Sequence, residues 1–216
     1  MKIRFLEVFK TFLAYIIICI ATFLMSRTLL EYTSLQDNVG FLKEKQDYSH
    51  IMYWKVAFYI HVFSSIFCLV AGFTQFSNQL LIDYPRIHRF IGRMYVFNIL
   101  VINFPAAFIM AYYANGFIPT KVAFFILDFL WFWFTSKALL EIRKGNVLKH
   151  KYFMIRSYAL TFSAITLRTW KLILSNSIEI DPITLYMIDA WLGFVPNLLI
   201  AELIIWQAKK KAAFTL

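Results

Sequence analysis

The chain has 216 residues, 61% of them hydrophobic and 16% charged, with a mean hydropathy of +0.64. A soluble domain of that length has too little interior to hide so much apolar surface, so a water-soluble globule is excluded. The formal net charge of +10 suggests nucleic acid only until its distribution is followed along the chain.

The apolar residues gather in six runs of about 20, the length that crosses about 30 Å of hydrocarbon at about 1.5 Å per residue. The first expected span is Thr11–Leu30. Lys2, Arg4 and Lys10 precede it as they would a signal peptide, but the run is long and no small-x-small cleavage site follows before Arg27. It is therefore read as a helix. The connection Glu31 to Tyr53 is the longest, with room for a short surface helix around Val39–Lys45.

Span two, Trp54–Phe76, carries His61, Ser64, Ser65, Cys68, Gly72 and Gln75 within about 100° of one helix face. Such a stripe faces protein rather than lipid. Small residues there need only packing, whereas an intramembrane histidine is a candidate for function or for a structural pair. Cys68, like Cys19 in span one, reads as a packing residue rather than half of a disulfide. Span three, Arg93–Ala114, follows Arg86 and Arg89 and is interrupted by Asn103 and Pro105. Span four, Thr120–Ile142, contains Asp128 and leads into Arg143, Lys144, Lys149 and Lys151.

Span five, Tyr152–Leu174, has Arg156 near one end, Arg168 near the other, and Ser157, Thr161, Ser163 and Thr166 between. Close packing of a central helix accounts for the hydroxyls, and Arg156 is near enough to an interface to snorkel. Span six, Ile183–Gln207, holds Asp189 and Glu202 and is interrupted by Pro196 and Asn197. The tail closes with Lys209, Lys210 and Lys211.

The expected fold is thus all-α: one polytopic integral membrane domain over residues 1–216, a bundle of six transmembrane helices. The basic clusters fall at the N-terminus, in the second and fourth connections and in the tail, all on one side. In the first connection Glu31, Asp37, Glu44 and Asp47 offset Lys43 and Lys45, and Glu179 and Asp181 stand near Lys171 in the fifth. The positive-inside rule then places both termini in the cytoplasm of a cell, as in a bacterial inner membrane. It assigns the positive charge to anionic lipid headgroups, not to nucleic acid.

With alternating directions, His61, Asp128, Arg168 and Asp189 share the outer third of the bilayer. An unpaired membrane charge costs several kcal/mol (about 2.5–3.5 on insertion scales). Arg168 is therefore expected to pair with Asp189 or Asp128, with His61 nearby. Gln75, His88, Arg89, Arg93, His150, Arg156 and Glu202 form the inner polar layer.

Four segments carry a resemblance: HVFSSIFCLVAGFTQF (61–76), HRFIGRMYVF (88–97), HKYFMIRSYALTFSAITLR (150–168) and WLGFVPNLLIAEL (191–203). Together they resemble the bacterial predicted membrane proteins grouped as domain of unknown function 2306, over a core of about residues 54–206. The first span lies outside the most characteristic part. The resemblance marks His61, Gly72, Gln75, Phe76, His88, Arg89, Gly92, Arg93, Tyr95, His150, Met154, Arg156, Ser157, Arg168, Asn197 and Glu202. Phe153 departs from it, standing where Trp is expected. No activity is implied.

Four functions remain open. Haem- or quinone-linked electron transfer is the leading one. His88 and His150 lie at the inner ends of two outward-running helices, a possible pair of haem b iron ligands, with Arg89, Arg93 or Arg156 for propionates. The second is a small-molecule or proton-coupled transporter, from the buried His, Arg and Asp residues and the two proline-interrupted spans. Simple kinks also account for the prolines. The third is an enzyme acting on lipid-borne or quinone substrates, and the fourth is a structural or accessory membrane subunit. For an enzyme there is no GxSxG or HExxH motif to supply a nucleophile or a zinc site.

Overall fold

The computed structural model describes residues 2–213, with side chains for 16–211 apart from residues 17, 73 and 78. The basic side chains of Lys2, Arg4 and Lys10 lie outside those described. Among the described residues the chain is helical, without strands.

Helix α1 (Lys2–Tyr32) leads into a connection folded as a 3-10 turn (Gly40–Lys45) and a short helix, α2 (Gln46–Ser49). Helix α3 (Met52–Gln75) returns through the bundle to α4 (Asn78–Asp83), whose first turn is capped by the Ser77 hydroxyl accepting from the Leu80 N–H at 3.2 Å. Helix α5 (Pro85–Phe97) passes into a π-helical segment (Asn98–Asn103) and α6 (Phe104–Tyr112). Gly116, at φ +80°, turns the chain into α7 (Phe117–Arg143), which at 27 residues is about 40 Å long. A Cβ at Gly116 would stand 2.5 Å from Thr120 Oγ1, so both the backbone and the space select glycine. Helices α8 (Val147–Thr161) and α9 (Ser163–Ser177) follow, then α10 (Pro182–Leu192) and α11 (Val195–Ala213). Asp181 caps α10 by accepting from the Thr184 N–H at 2.8 Å, with Pro182 in the first turn.

Among the described residues, four segments are long and apolar enough to cross a bilayer: Met52–Gly72, Pro85–Tyr112, Phe117–Arg143 and Pro182–Lys211. The fifth expected span divides instead at Phe162 into two 15-residue helices. The cause lies in its hydroxyls. Thr161 Oγ1 donates back to the Ser157 carbonyl at 3.2 Å and Ser163 Oγ to the Leu160 carbonyl at 2.5 Å, competing with the helix's own donors where it bends. The π-helix has a different cause. Pro105 lacks an N–H for the Val101 carbonyl, so the ladder widens just before it.

The main core lies between α3, α5, α7, α8 and α10, around Cys68, Tyr95, Trp131, Leu160 and Phe194. Gly72 lets two helices meet there: a Cβ on it would overlap the Tyr158 ring, whose hydroxyl donates to the Leu69 carbonyl at 2.9 Å. A second cluster, Tyr32, Leu42, Trp54 and Phe58, binds the first connection over one end of the bundle. That end is called the loop end below. The opposite one, with Arg86, Arg89, Arg143 and Lys144, is called the basic end.

Lys45 fastens the connection down. Its side chain is buried, with Nζ donating to the Tyr113 carbonyl at 2.5 Å and to Asn115 Oδ1 at 2.6 Å, close to the Phe41 and Tyr48 rings. Burial lowers its pKa to about 8, with nearby Lys121 adding to the effect.

Candidate functional site

At the basic end, the seven residues expected in one polar layer occur as separate small groups. Arg156 and Glu202 form a two-pronged ion pair, Nε to Oε1 at 2.5 Å and Nη2 to Oε2 at 2.8 Å, joining α8 to α11. The guanidinium lies over the rings of Phe134 and Phe153. Arg156 is therefore held rather than snorkelling freely, contrary to the sequence expectation. Gln75 Nε2 donates to the His88 carbonyl at 3.2 Å, and Gly92 makes room for its amide. Arg93 Nε donates to the Arg89 carbonyl at 3.3 Å, with both side chains exposed.

His88 and His150 come within electrostatic reach of one another. His150 Nδ1 is engaged with the Ala138 carbonyl at 2.8 Å, whereas His88 Nδ1 is buried without a partner. The cavities beside Asp189 and along the π-helix include neither histidine. Among the described residues no three His, Cys, Asp or Glu side chains converge to hold a metal. The expected haem is not supported at this end, where one of the two imidazoles is already engaged by a backbone carbonyl.

The middle of the bundle holds two polar networks. In the first, the buried Tyr95 hydroxyl meets Ser157 Oγ at 2.9 Å and Thr161 Oγ1 at 2.8 Å. Trp131 Nε1 donates to Thr161 Oγ1 at 3.0 Å, and Thr135 Oγ1 meets Ser157 Oγ at 2.7 Å. The hydroxyls of α8 thus bond α5 and α7 to it, which corrects the reading that packing alone explains them. In the second, on the π-helix, Asn98 Nδ2 donates to the Ser64 carbonyl at 2.9 Å and Asn103 Nδ2 to Ser64 Oγ at 3.0 Å.

A third group pins two helix breaks together. Asn197 Nδ2 donates to Thr166 Oγ1 at 2.9 Å and to the Gly193 carbonyl at 3.1 Å. Thr166 Oγ1 also donates to that carbonyl at 2.5 Å. The break between α8 and α9 is therefore tied to the break between α10 and α11.

Toward the loop end, His61, Asp128, Arg168 and Asp189 do not form one cluster. Arg168 Nη1 donates to the Ala164 carbonyl at 2.7 Å, within electrostatic reach of His61 and Tyr32. Asp128 and Asp189 have no partner on any of their four carboxylate oxygens. The expected ion pair of Arg168 with either aspartate is not formed. Sharing a depth did not make the side chains share a direction: Lys171, one turn further along α9, takes the position toward Asp189.

Asp128 is 3% exposed and Asp189 is 1% exposed, but their surroundings differ. Asp189 borders a cavity of about 690 Å³ that opens between α9, α10 and the first connection. Its rim carries Lys171 and Glu44, paired at 3.0 Å, with Asn115 beside them. Asn115 Nδ2 donates to the Glu44 carbonyl at 3.2 Å, so the same asparagine that receives Lys45 also places Glu44. The wall is more apolar, with Ile180, Ile183, Leu185 and Tyr186, and the Tyr186 ring packs 6.1 Å from Phe124. A second, smaller groove of about 330 Å³ is almost wholly apolar and runs past Ile60, Val101 and Pro105 on the outside of the π-helix.

The family model described as "Predicted membrane protein (DUF2306)" matches residues 58–205. The chain belongs to that family. The match runs from within α3 to within α11 and takes in both broken helix pairs, the middle networks and Asp189, while leaving α1 and the first connection outside it. The family description assigns a membrane location without an activity, in keeping with the apolar helices. No curated protein and no solved structure matches the chain.

Sequence reasoning missed Trp131 and Thr135, the α7 half of the middle network. Their spacing of four, which puts both on one helix face, was the available signal. It also missed Lys45, whose flanking Phe41 and Tyr48 are the visible sign of an enclosed ammonium.

Proposed function

We propose that this is a six-span protein of the bacterial inner membrane, one domain with both termini cytoplasmic, that binds a small solute at the loop end and carries it across with proton coupling. In this reading α1 and the α8–α9 pair are the remaining two spans. The basic end faces the cytoplasm and its anionic headgroups, consistent with the distribution of Lys and Arg.

The observation that carries the transport reading is Asp189. A membrane carboxyl is costly, and it is retained where it meets a solute, an ion or a proton. Here it stands at the edge of a solute-sized cavity with neither oxygen bonded. Asp128, deeper in the packed bundle and equally unpartnered, is the second proton-carrying candidate. The π-helix at Asn98–Asn103 and the linked breaks at Phe162 and Gly193–Phe194 supply places where helices can change course without losing their packing.

The test is charge movement in proteoliposomes on a solid-supported membrane, challenged with pools of amino acids, amines, sugars and organic acids. A solute-gated current that depends on the pH gradient and vanishes in Asp189→Asn supports transport. Absence of current for every pool, with protein shown to be folded and inserted, rejects it.

A further inference from the structure

Resting on that transport reading and deepening it, we infer that the cavity at Asp189 takes a small organic cation, an ammonium group on an apolar body. The protein as a whole carries +10, yet the cavity at Asp189 is bordered by three carboxylates, Glu44, Glu179 and Asp189, against one ammonium, Lys171. Lys171 is already paired with Glu44, and Asp181 nearby is occupied in capping α10. The uncompensated charge therefore falls on Glu179, which is exposed to solvent, and on Asp189, which is almost wholly buried, borders the cavity and has no hydrogen bond to either oxygen. A ligand that brings its own N–H donors and positive charge satisfies both oxygens, whereas an anion or a sugar leaves the carboxylate opposed or only half satisfied.

The walls decide between an organic and an inorganic cation. A metal ion asks for several oxygen ligands around it, but among the described residues no three His, Cys, Asp or Glu side chains converge to hold one, while Ile183, Leu185 and Tyr186 line the cavity with Asp189. Those surfaces suit a hydrocarbon body, and the aromatic face adds attraction for an alkylammonium. The volume of about 690 Å³ falls within the range of small-molecule sites. Lys171 lies within electrostatic reach of Asp189 and is the like-charged competitor that such a ligand must approach.

The probe is phenethylammonium, with phenethyl alcohol as the neutral compound of the same shape. Binding is measured by isothermal titration calorimetry on the full-length protein in lipid nanodiscs. Saturable binding of phenethylammonium is expected, about 10–100-fold tighter than the alcohol, as for a charge-assisted hydrogen bond. Asp189→Asn should bring the two to equal affinity, and Lys171→Met should tighten the ammonium alone by a few-fold. Ser175→Trp, which fills the cavity from its rim, serves if Asp189→Asn does not fold, and it should abolish binding of both compounds. Equal binding of the two compounds by the wild type, unchanged ammonium binding in Asp189→Asn or Ser175→Trp, or no saturable binding in the millimolar range would overturn the inference. Calorimetry reads occupancy alone: ammonium binding without solute-driven current sinks transport but leaves this site, and a current driven only by anions or sugars sinks the site but leaves transport.

Discussion

Replacing Arg156 with alanine removes a two-pronged ion pair and two ring contacts in one step, and the structure sets how much that should cost. Exposed ion pairs contribute about 0.2–1 kcal/mol, and breaking a buried pair by removing one partner costs about 3–5 kcal/mol. Arg156 is 17% exposed and Glu202 51% exposed, which places this pair between those limits. Once Arg156 is gone, Glu202 can reach water or headgroups, so only the arginine side loses fully. Arg156→Ala should cost about 2 kcal/mol, including roughly 0.5–1 kcal/mol from the guanidinium on Phe134 and Phe153. Glu202→Ala leaves the ring contacts and should cost about 1 kcal/mol, with a coupling between the two changes of about 1 kcal/mol. Arg156→Lys should lose at least half of the arginine effect, because an ammonium cannot make both prongs. The assay is equilibrium unfolding in mixed detergent and dodecyl sulfate micelles, followed by tryptophan fluorescence for the single and double variants. Strictly additive costs, or a lysine variant as stable as the wild type, would show that the pair does not hold α8 to α11.

Tyr95→Phe removes the hydroxyl that meets Ser157 and Thr161 but leaves those two bonded to Thr135 and Trp131. At about 0.6 kcal/mol per membrane hydrogen bond it should destabilise by about 1 kcal/mol in the same assay, and no effect would mean that the network is idle. Asp128→Leu should raise the thermal unfolding temperature by removing an unpartnered carboxyl, worth about 1–3 kcal/mol. A fall would reveal a partner for Asp128. Lys45 gives a pH signature. Its folded pKa of about 8 lies below the ordinary 10.5, so between those values the unfolded chain binds more protons. Stability should therefore rise as pH climbs from about 8 to 10.5, by at most about 3 kcal/mol at about 1.36 kcal/mol per unit. Lys45→Gln should flatten that rise in thermal unfolding scans, and an unchanged profile would assign it elsewhere.

How much of this could be read from sequence depends on whether the signal was local. Apolar run length marks helices that are stable in hydrocarbon, and Pro105 and Pro196 mark where two of them depart from regularity, because proline acts on its own backbone. The break at Phe162 carries neither proline nor glycine. It follows from where the Thr161 and Ser163 hydroxyls turn, which residue type alone leaves open. Helical periodicity also assigns depth better than direction. It put Arg168 level with the two aspartates, yet the packed bundle turns Arg168 toward Tyr32 and His61 and gives the Asp189 side to Lys171. Contacts across long separations were out of reach: Glu202 is 46 residues from Arg156, and Lys171 is 127 residues from Glu44.

The π-helix at Asn98–Asn103 also acts as a phase shifter. A π turn holds about one residue more than an α turn, so everything after it is rotated by about 100° relative to an unbroken helix. The offset lets Tyr95 point at α8 while Asn103, eight residues on, still points at Ser64 on α3. A substitution in this segment changes one contact, but a one-residue deletion re-indexes the whole of α6, carrying buried Asn103 and Ala106 off their faces. Chain length between Tyr95 and Phe104 is therefore as much a part of the fold's specification as any side chain there.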